Sequence, residues 1–218
     1  DKKTEGKVSY CKNFGIIEGD INVGGIAGAM AIEFKFDPED DTDLLKDSSL
    51  NAIFQTSAII QKCENKGQII AKKNNAGGIV GNMDLGYLID CVGADSVGSI
   101  DGDYVGGIAG RAGAPIVSSY AKCALRGGNY IGGIAGYGVE ITDCYTLVKV
   151  ENSKACIGAI AGDAEDDGAI KMNYFVSDTL SGIDGISYMD KAEPISYKDL
   201  ISKTGIPSLF KEFKLDFV

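Results

Sequence analysis

The sequence predicts an all-β protein: a right-handed parallel β-helix-like solenoid of about five to six rungs, with one insertion and a small helical C-terminal cap. Three observations predict it. A glycine string recurs five times, as VGGIAG (Val23–Gly28), AGGIVG (Ala76–Gly81), VGGIAG (Val105–Gly110), IGGIAG (Ile131–Gly136) and IGAIAG (Ile157–Gly162). Each string follows a second half-unit that carries Cys11, Cys63, Cys91, Ser119 or Cys144 at one aligned position. Short stretches rich in Val, Ile and Tyr alternate with Gly, Asn and Asp, and no 3.6-residue period runs through them.

The first half-units read VSYCKNFGII, IQKCENKGQI, LIDCVGADSVGSI, IVSSYAKCAL and EITDCYTLVKV. A degenerate sixth copy, IKMNYFVSDTLSGIDGIS, places Asn173 at the cysteine position. The first glycines, Gly24, Gly77, Gly106, Gly132 and Gly158, are spaced 53, 29, 26 and 26 residues apart. The unit is therefore about 26 residues, with one insertion in the first gap. A unit this short cannot bury its own apolar face and must stack on copies of itself.

The glycines at issue are Gly24, Gly25, Gly28, Gly77, Gly78, Gly81, Gly106, Gly107, Gly110, Gly132, Gly133, Gly136, Gly158 and Gly162. Val105 and Ile108 are three apart and both of core type, which a flat strand would turn to opposite faces. A bend at Gly106–Gly107, using the positive φ open to glycine, lets both point inward. The other reading is that the missing side chains admit a neighbouring layer. The order G-G-x-x-G, with no helix after it, is not a dinucleotide fingerprint.

Residues 1–187 are expected to form the solenoid, interrupted at 29–59, and 188–218 the capping segment. In the insertion, Ile32, Phe34 and Phe36 alternate as in a strand, followed by an acidic loop. Insertions in solenoids emerge as loops and often bind. Asp37, Glu39, Asp40, Asp41 and Asp43 are thus the binding candidates by position, although they lack the glycine of an EF-hand calcium loop. Asp101 and Asp103 read as turn formers around Gly102. In the C-terminal segment a short helix is expected near Tyr197–Lys203, capped by Ser196 and ended by Gly205 and Pro207. Its apolar residues would cover the open end of the rod.

The formal net charge is −10 and only Arg111 and Arg126 are arginine, so nucleic acid is not an expected partner. The absence of histidine removes Ser-His-Asp triads, Cys-His dyads and histidine metal sites. The six cysteines form no C-x-x-C pair, so neither a metal site nor a cofactor is expected; a stacked core role fits them better than a disulfide framework. No apolar run is long enough to span a membrane, so any attachment would come through other parts of the full-length chain. Tyr104, Tyr120, Tyr130, Tyr137 and Tyr145 are candidate sugar-stacking faces, and Tyr104 and Tyr130, which precede consecutive strings, can instead form a structural aromatic ladder. Asp90 and Asp143, two rungs apart with Ser118 between, could form an acid–base pair for polysaccharide chemistry or serve as turn residues.

The strings CKNFGIIEGDINVGGIAG (Cys11–Gly28), CENKGQIIAKKNNAGGIVG (Cys63–Gly81), GDYVGGIAG (Gly102–Gly110), GGNYIGGIAG (Gly127–Gly136) and CIGAIAG (Cys156–Gly162) resemble the GLUG repeat. That repeat occurs in bacterial cell-surface proteins, including adhesin-like proteins and some immunoglobulin-A peptidases. The resemblance covers most of 8–175 and departs at Ala159, where a second glycine would stand. It implies an extracellular, surface-attached module without catalytic residues of its own. The expectation is a non-catalytic stalk or adhesin that meets a host or matrix protein or glycan, in monomeric form. The alternative is a carbohydrate-binding or carbohydrate-active β-helix protein.

Overall fold

The computed structural model describes residues 3–31, 55–151 and 153–211. The chain is an all-β solenoid with a small C-terminal helical segment. The first layer holds β1 (Lys3–Ser9), β2 (Lys12–Asn13), β3 (Ile17–Gly19), β4 (Val23–Gly24) and β5 (Ala27–Met30). The second holds β6 (Gln55–Gln61), β7 (Glu64–Asn65), β8 (Ile69–Ala71), β9 (Ala76–Gly77) and β10 (Val80–Met83). The third holds β11 (Tyr87–Ile89), β12 (Val92–Ser99), β13 (Val105–Gly106) and β14 (Ala109–Ala112). The fourth has β15 (Ile116–Val117), β16 (Tyr120–Arg126), β17 (Asn129–Gly132) and the first half of β18 (Ala135–Thr142).

The rest of β18 opens the fifth layer, followed by β19 (Tyr145–Thr146), β20 (Lys149–Glu151) and β21 (Ala155–Gly158). β22 (Ala161–Lys171) and β23 (Asn173–Phe175) lead into a partial sixth layer, onto which β24 (Ala192–Pro194) pairs. The layers stack as three sheets, and every strand pair between them is parallel. In one sheet β4, β9, β13, β17 and β21 stack in order, so Val23, Ala76, Val105, Ile131 and Ile157 lie in register. The five strings of the sequence are therefore five successive layers of one face.

The core is the column of residues these layers turn inward. Val105 and Ile108 are both fully buried, as are Ile79, Ile131, Ile134 and Ile160. The chain does bend at the second glycine and the isoleucine after it. The reason for the glycines is nevertheless the other one, and this corrects the positive-φ expectation. None of the string glycines has a positive φ. A Cβ on Gly106 would meet the Ala109 carbonyl and come within 2.8 Å of Ala135 Cα. One on Gly107 would meet the Gly133 carbonyl, the Ala121 methyl at 2.7 Å and Cys123 Sγ at 2.9 Å. The glycines let one layer close on the next.

Ala159 shows the same logic at the end of the stack. It takes the same bend, but its N–H meets Ser181 O, in an irregular segment rather than a sixth string. The positive φ that the turn requires sits one residue before each string, on Asn22, Asn75, Tyr104, Tyr130 and Cys156.

The helix at the C-terminus is α1 (Tyr197–Ser202), with Ser196 Oγ accepting from Asp199 N at 3.1 Å; a turn of helix, α2 (Ser208–Lys211), follows. Leu200, Ile206 and Phe210 pack with Tyr145 and Leu147, against Tyr120 and Tyr174. These belong to the fourth, fifth and sixth layers. The helical segment thus clamps the side of the rod, while β24 and the bridge from Ile183 to Ala161 lie on the last layer. Among the described residues no helix is long and apolar enough to cross a membrane.

Candidate functional site

Tyr104 and Tyr130 stand at the left-handed residue before consecutive strings, and the register of Val105 with Ile131 brings them into line. Their rings stack with centroids 4.7 Å apart and planes 9° from parallel. Both are half-buried. In the two earlier layers the position is filled by Asn22 and Asn75, with Asn75 Nδ2 donating to Asn22 Oδ1 at 2.7 Å. In the layer after, it is filled by Cys156.

The surroundings are acidic. Cys156 and Tyr104, then burial, Asp163 and Asp103, push the Tyr130 hydroxyl above its ordinary value. Asp103 also holds the layers together, since its Oδ1 accepts from Asn129 N at 2.7 Å and from Asn129 Nδ2 at 3.1 Å. These bonds reach the next layer and are not the local turn role around Gly102 expected of it. On the neighbouring sheet Arg111, Tyr137 and Asp163 share a register. The Arg111 guanidinium lies 5.6 Å from the Tyr137 ring centre and 3.4 Å from Asp84 Oδ1. Because the two tyrosines occupy each other's inner faces, they form a spine and not two coplanar platforms. A sugar ring or a basic side chain would meet their edges and the carboxylates beside them.

The acidic insertion candidates, Asp37, Glu39, Asp40, Asp41 and Asp43, lie outside the described residues, as do Ile32, Phe34 and Phe36. The described ends of that segment, Ala31 and Gln55, adjoin β5 and β6. An apolar cleft of about 390 Å³ opens there, lined by Val8, Ala27, Met30, Ile60 and Leu85 among others.

Asp90 and Asp143 occupy the left-handed position of the other corner, the first that each layer turns, with φ of 53° and 56°. Asp143 accepts from Ser118 Oγ at 3.1 Å and from Tyr145 Oη at 3.2 Å, so its carboxylate is engaged by its own corner. Burial, then Asp143 and Asp90, push the Tyr120 hydroxyl up. Among the described residues no three His, Cys, Asp or Glu side chains come together as metal ligands.

Beside this corner is an aromatic column: Tyr120 and Tyr145 are stacking candidates from the sequence, but their alignment with Tyr174 is not visible there. Tyr120 stacks on Tyr145 at 5.7 Å, and Tyr145 on Tyr174 at 5.6 Å. Lys203 Nζ lies 4.2 Å from the Tyr174 ring centre, and Phe210 meets Tyr120 edge-on at 6.2 Å. The signal was present: each tyrosine directly follows the aligned Cys, Ser or Asn position.

Two further clefts lie nearby. One of about 440 Å³ runs between Leu147–Val150 and Val176–Leu180, with Asp178 as its one acidic residue. The other, about 170 Å³, is lined by Ala94, Asp95, Lys122, Cys123, Leu147 and Leu209. Burial, with Asp95 adding to it, pushes the Cys123 thiol up to about 12, so it is an inert core thiol near neutral pH. No family model, curated protein or solved structure matches the chain.

Proposed function

We propose that the chain is a non-catalytic surface module, a stalk that carries an adhesive insertion and a tyrosine-lined corner. The observation that carries this reading is the register of the five strings. Similar coils stacked at about 4.8 Å make a stiff rod whose length grows with repeat number. Such a rod suits display better than chemistry. The resemblance to the GLUG repeat supports a position outside a bacterial cell, on the surface or secreted. The net charge of −10 keeps the rod soluble and turns away nucleic acid.

The binding role falls to residues 31–58 first and to the corner of Tyr104 and Tyr130 second. The test is a screen of the folded chain against a glycan array and a panel of matrix proteins, with and without residues 31–58. Loss of binding on deletion assigns adhesion to the insertion. Binding that survives deletion but falls in Tyr104→Ala with Tyr130→Ala moves it to the corner and favours a carbohydrate-binding module. Release of new reducing ends from a polysaccharide panel would overturn the non-catalytic reading.

A further inference from the structure

The aligned position of the first corner begins with cysteines in three consecutive layers, Cys11, Cys63 and Cys91, before Ser119 interrupts the series. The register is direct: Lys12 pairs with Glu64 and Glu64 with Val92, one residue further on. Glu64 N donates to Cys11 O, and Val92 N to Cys63 O, both at 2.9 Å. Neighbouring layers of a parallel sheet lie about 4.8 Å apart, within the roughly 4.4–6.8 Å Cα separation that a disulfide spans.

The thiols lean towards the preceding layer. Cys63 Sγ lies 3.3 Å from Gln61 O and 4.0 Å from Val8 O, which belongs to the layer of Cys11. Exposure separates the three. Cys11 is exposed, whereas Cys63 and Cys91 are 1% and 0% exposed. An oxidant therefore reaches Cys11 first, and the nearest second sulfur stacked beside it is Cys63.

We propose that Cys11 and Cys63 are a disulfide-forming pair that staples the first layer to the second at the corner after β1 and β6. All six cysteines are free thiols in this structure. The oxidant is a disulfide, RS–SR. The Cys11 thiolate attacks one of its sulfurs and releases RS⁻, leaving Cys11 as a mixed disulfide. The Cys63 thiolate then attacks the Cys11 sulfur, breaks that bond and releases the second RS⁻. Two thiols lose two protons and two electrons, and the oxidant leaves as two RSH. Burial pushes the Cys63 thiol up, so the second step is the slower one and speeds up in alkali.

The test treats the folded full chain with oxidised glutathione, then alkylates the remaining thiols under denaturing conditions and maps the digest by mass. The expected product is a Cys11–Cys63 linked peptide, reversed by dithiothreitol, with Cys91 alkylated. The link closes a loop of about 50 residues and raises Tm by roughly 5–10 °C. Cys63→Ser should halt the reaction at the Cys11–glutathione mixed disulfide, and Cys91→Ser should leave the link intact. Three results overturn the proposal: Cys11 stopping as a mixed disulfide in the unmutated chain, a Cys11–Cys11 link between two copies, or loss of the link in a folded Cys91→Ser variant.

Discussion

The solenoid turns two corners per layer that look alike in backbone and differ in chemistry. Each is made by a residue in the left-handed region. At the first corner these are Tyr10, Lys62, Asp90, Ser118, Asp143 and Met172; at the second, Asn22, Asn75, Tyr104, Tyr130 and Cys156. At both, two consecutive N–H groups point to the next layer. At the second corner both meet carbonyls: Asn75 N reaches Asp103 O, and Ala76 N reaches Tyr104 O, each at 3.0 Å. At the first corner only one does. Asp90 N reaches Val117 O, but Cys91 N is satisfied by Ser119 Oγ at 3.2 Å. Ser119 N goes to Cys144 Sγ at 3.4 Å, and Cys144 N to Asn173 Oδ1 at 3.0 Å.

That difference explains both signatures in the sequence. After the second corner the next residue needs no acceptor, so it is Val, Ala or Ile, and the glycines follow to admit the neighbouring layer. After the first corner the next residue must carry a small acceptor, because the N–H below it is buried and would otherwise go unpaired. Cys, Ser and Asn all meet that need. The thiols also donate within their own strand: Cys91 Sγ lies 3.4 Å from Ile89 O, and Cys144 Sγ 3.3 Å from Thr142 O. Burial pushes Cys91 and Cys144 up to about 12, with the Cys63 and Ser119 amides opposing it. They stay protonated, as the donor role requires.

The largest effect should come from filling the glycine bend that follows the second corner. Gly107→Ala places a methyl against the Gly133 carbonyl and against Ala121 and Cys123 side chains. The cost expected is about 3 kcal/mol, measured by denaturant unfolding. The paired control is Ala159→Gly, at the equivalent place with no string stacked beyond it. That change should cost less than about 1 kcal/mol. Equal losses at the two positions would break the close-approach account.

At the first corner, Ser119→Ala removes an acceptor without adding bulk. It leaves Cys91 N buried and unpaired, for an expected loss of about 1–3 kcal/mol. Ser119→Cys should recover most of it, because Cys144 already does the same task for Ser119 N. A Cys variant no better than the Ala variant would show that the ladder is packing and not hydrogen bonding.

These contrasts also mark what the sequence could reveal. The string was legible because close approach permits only glycine or, at the end, Ala159. The aligned position was legible because few side chains are both small and accepting. Two core residues three apart made a bend legible, though at Gly106–Gly107, one residue before the Gly107–Ile108 bend that the chain takes. The left-handed corner before each string was not legible, since its five residues, of three different types, carry no shared letter. The column of Tyr120, Tyr145 and Tyr174 escaped because its spacings, 25 and 29 residues, are set by loops of unequal length. The side-on packing of the helices escaped too. An apolar face on Leu200 and Phe210 fits the end of a rod or its flank equally well.

A smaller effect separates stacking from simple burial at the second corner. Tyr104 and Tyr130 hold rings 4.7 Å apart and nearly parallel. A double-mutant cycle to alanine should give a coupling of about 1 kcal/mol, on top of the area each ring loses. Neither residue should be coupled to Tyr120 or Tyr145, which belong to the other corner. A coupling across the two columns would merge the corners into one cooperative unit and blur the distinction drawn above.

The smallest effect tests the charge that decorates the strand after the first corner. Glu64 sits in the second layer, with Lys66 Nζ at 2.8 Å and Lys12 Nζ of the first layer at 3.2 Å. Burial alone would push its carboxyl up, but Lys66 and Lys12 outweigh it and hold the group below the ordinary carboxylate range. A carboxyl depressed in the folded state stabilises it above the unfolded value, and that contribution disappears as pH falls through the folded one. Both lysines are largely exposed, so Glu64→Gln should cost less than about 1 kcal/mol near neutral pH. The difference should vanish in acid below the lowered value and shrink in molar salt. A Glu64→Gln variant whose deficit persisted in acid would place the stabilisation in packing and not in the two ion pairs.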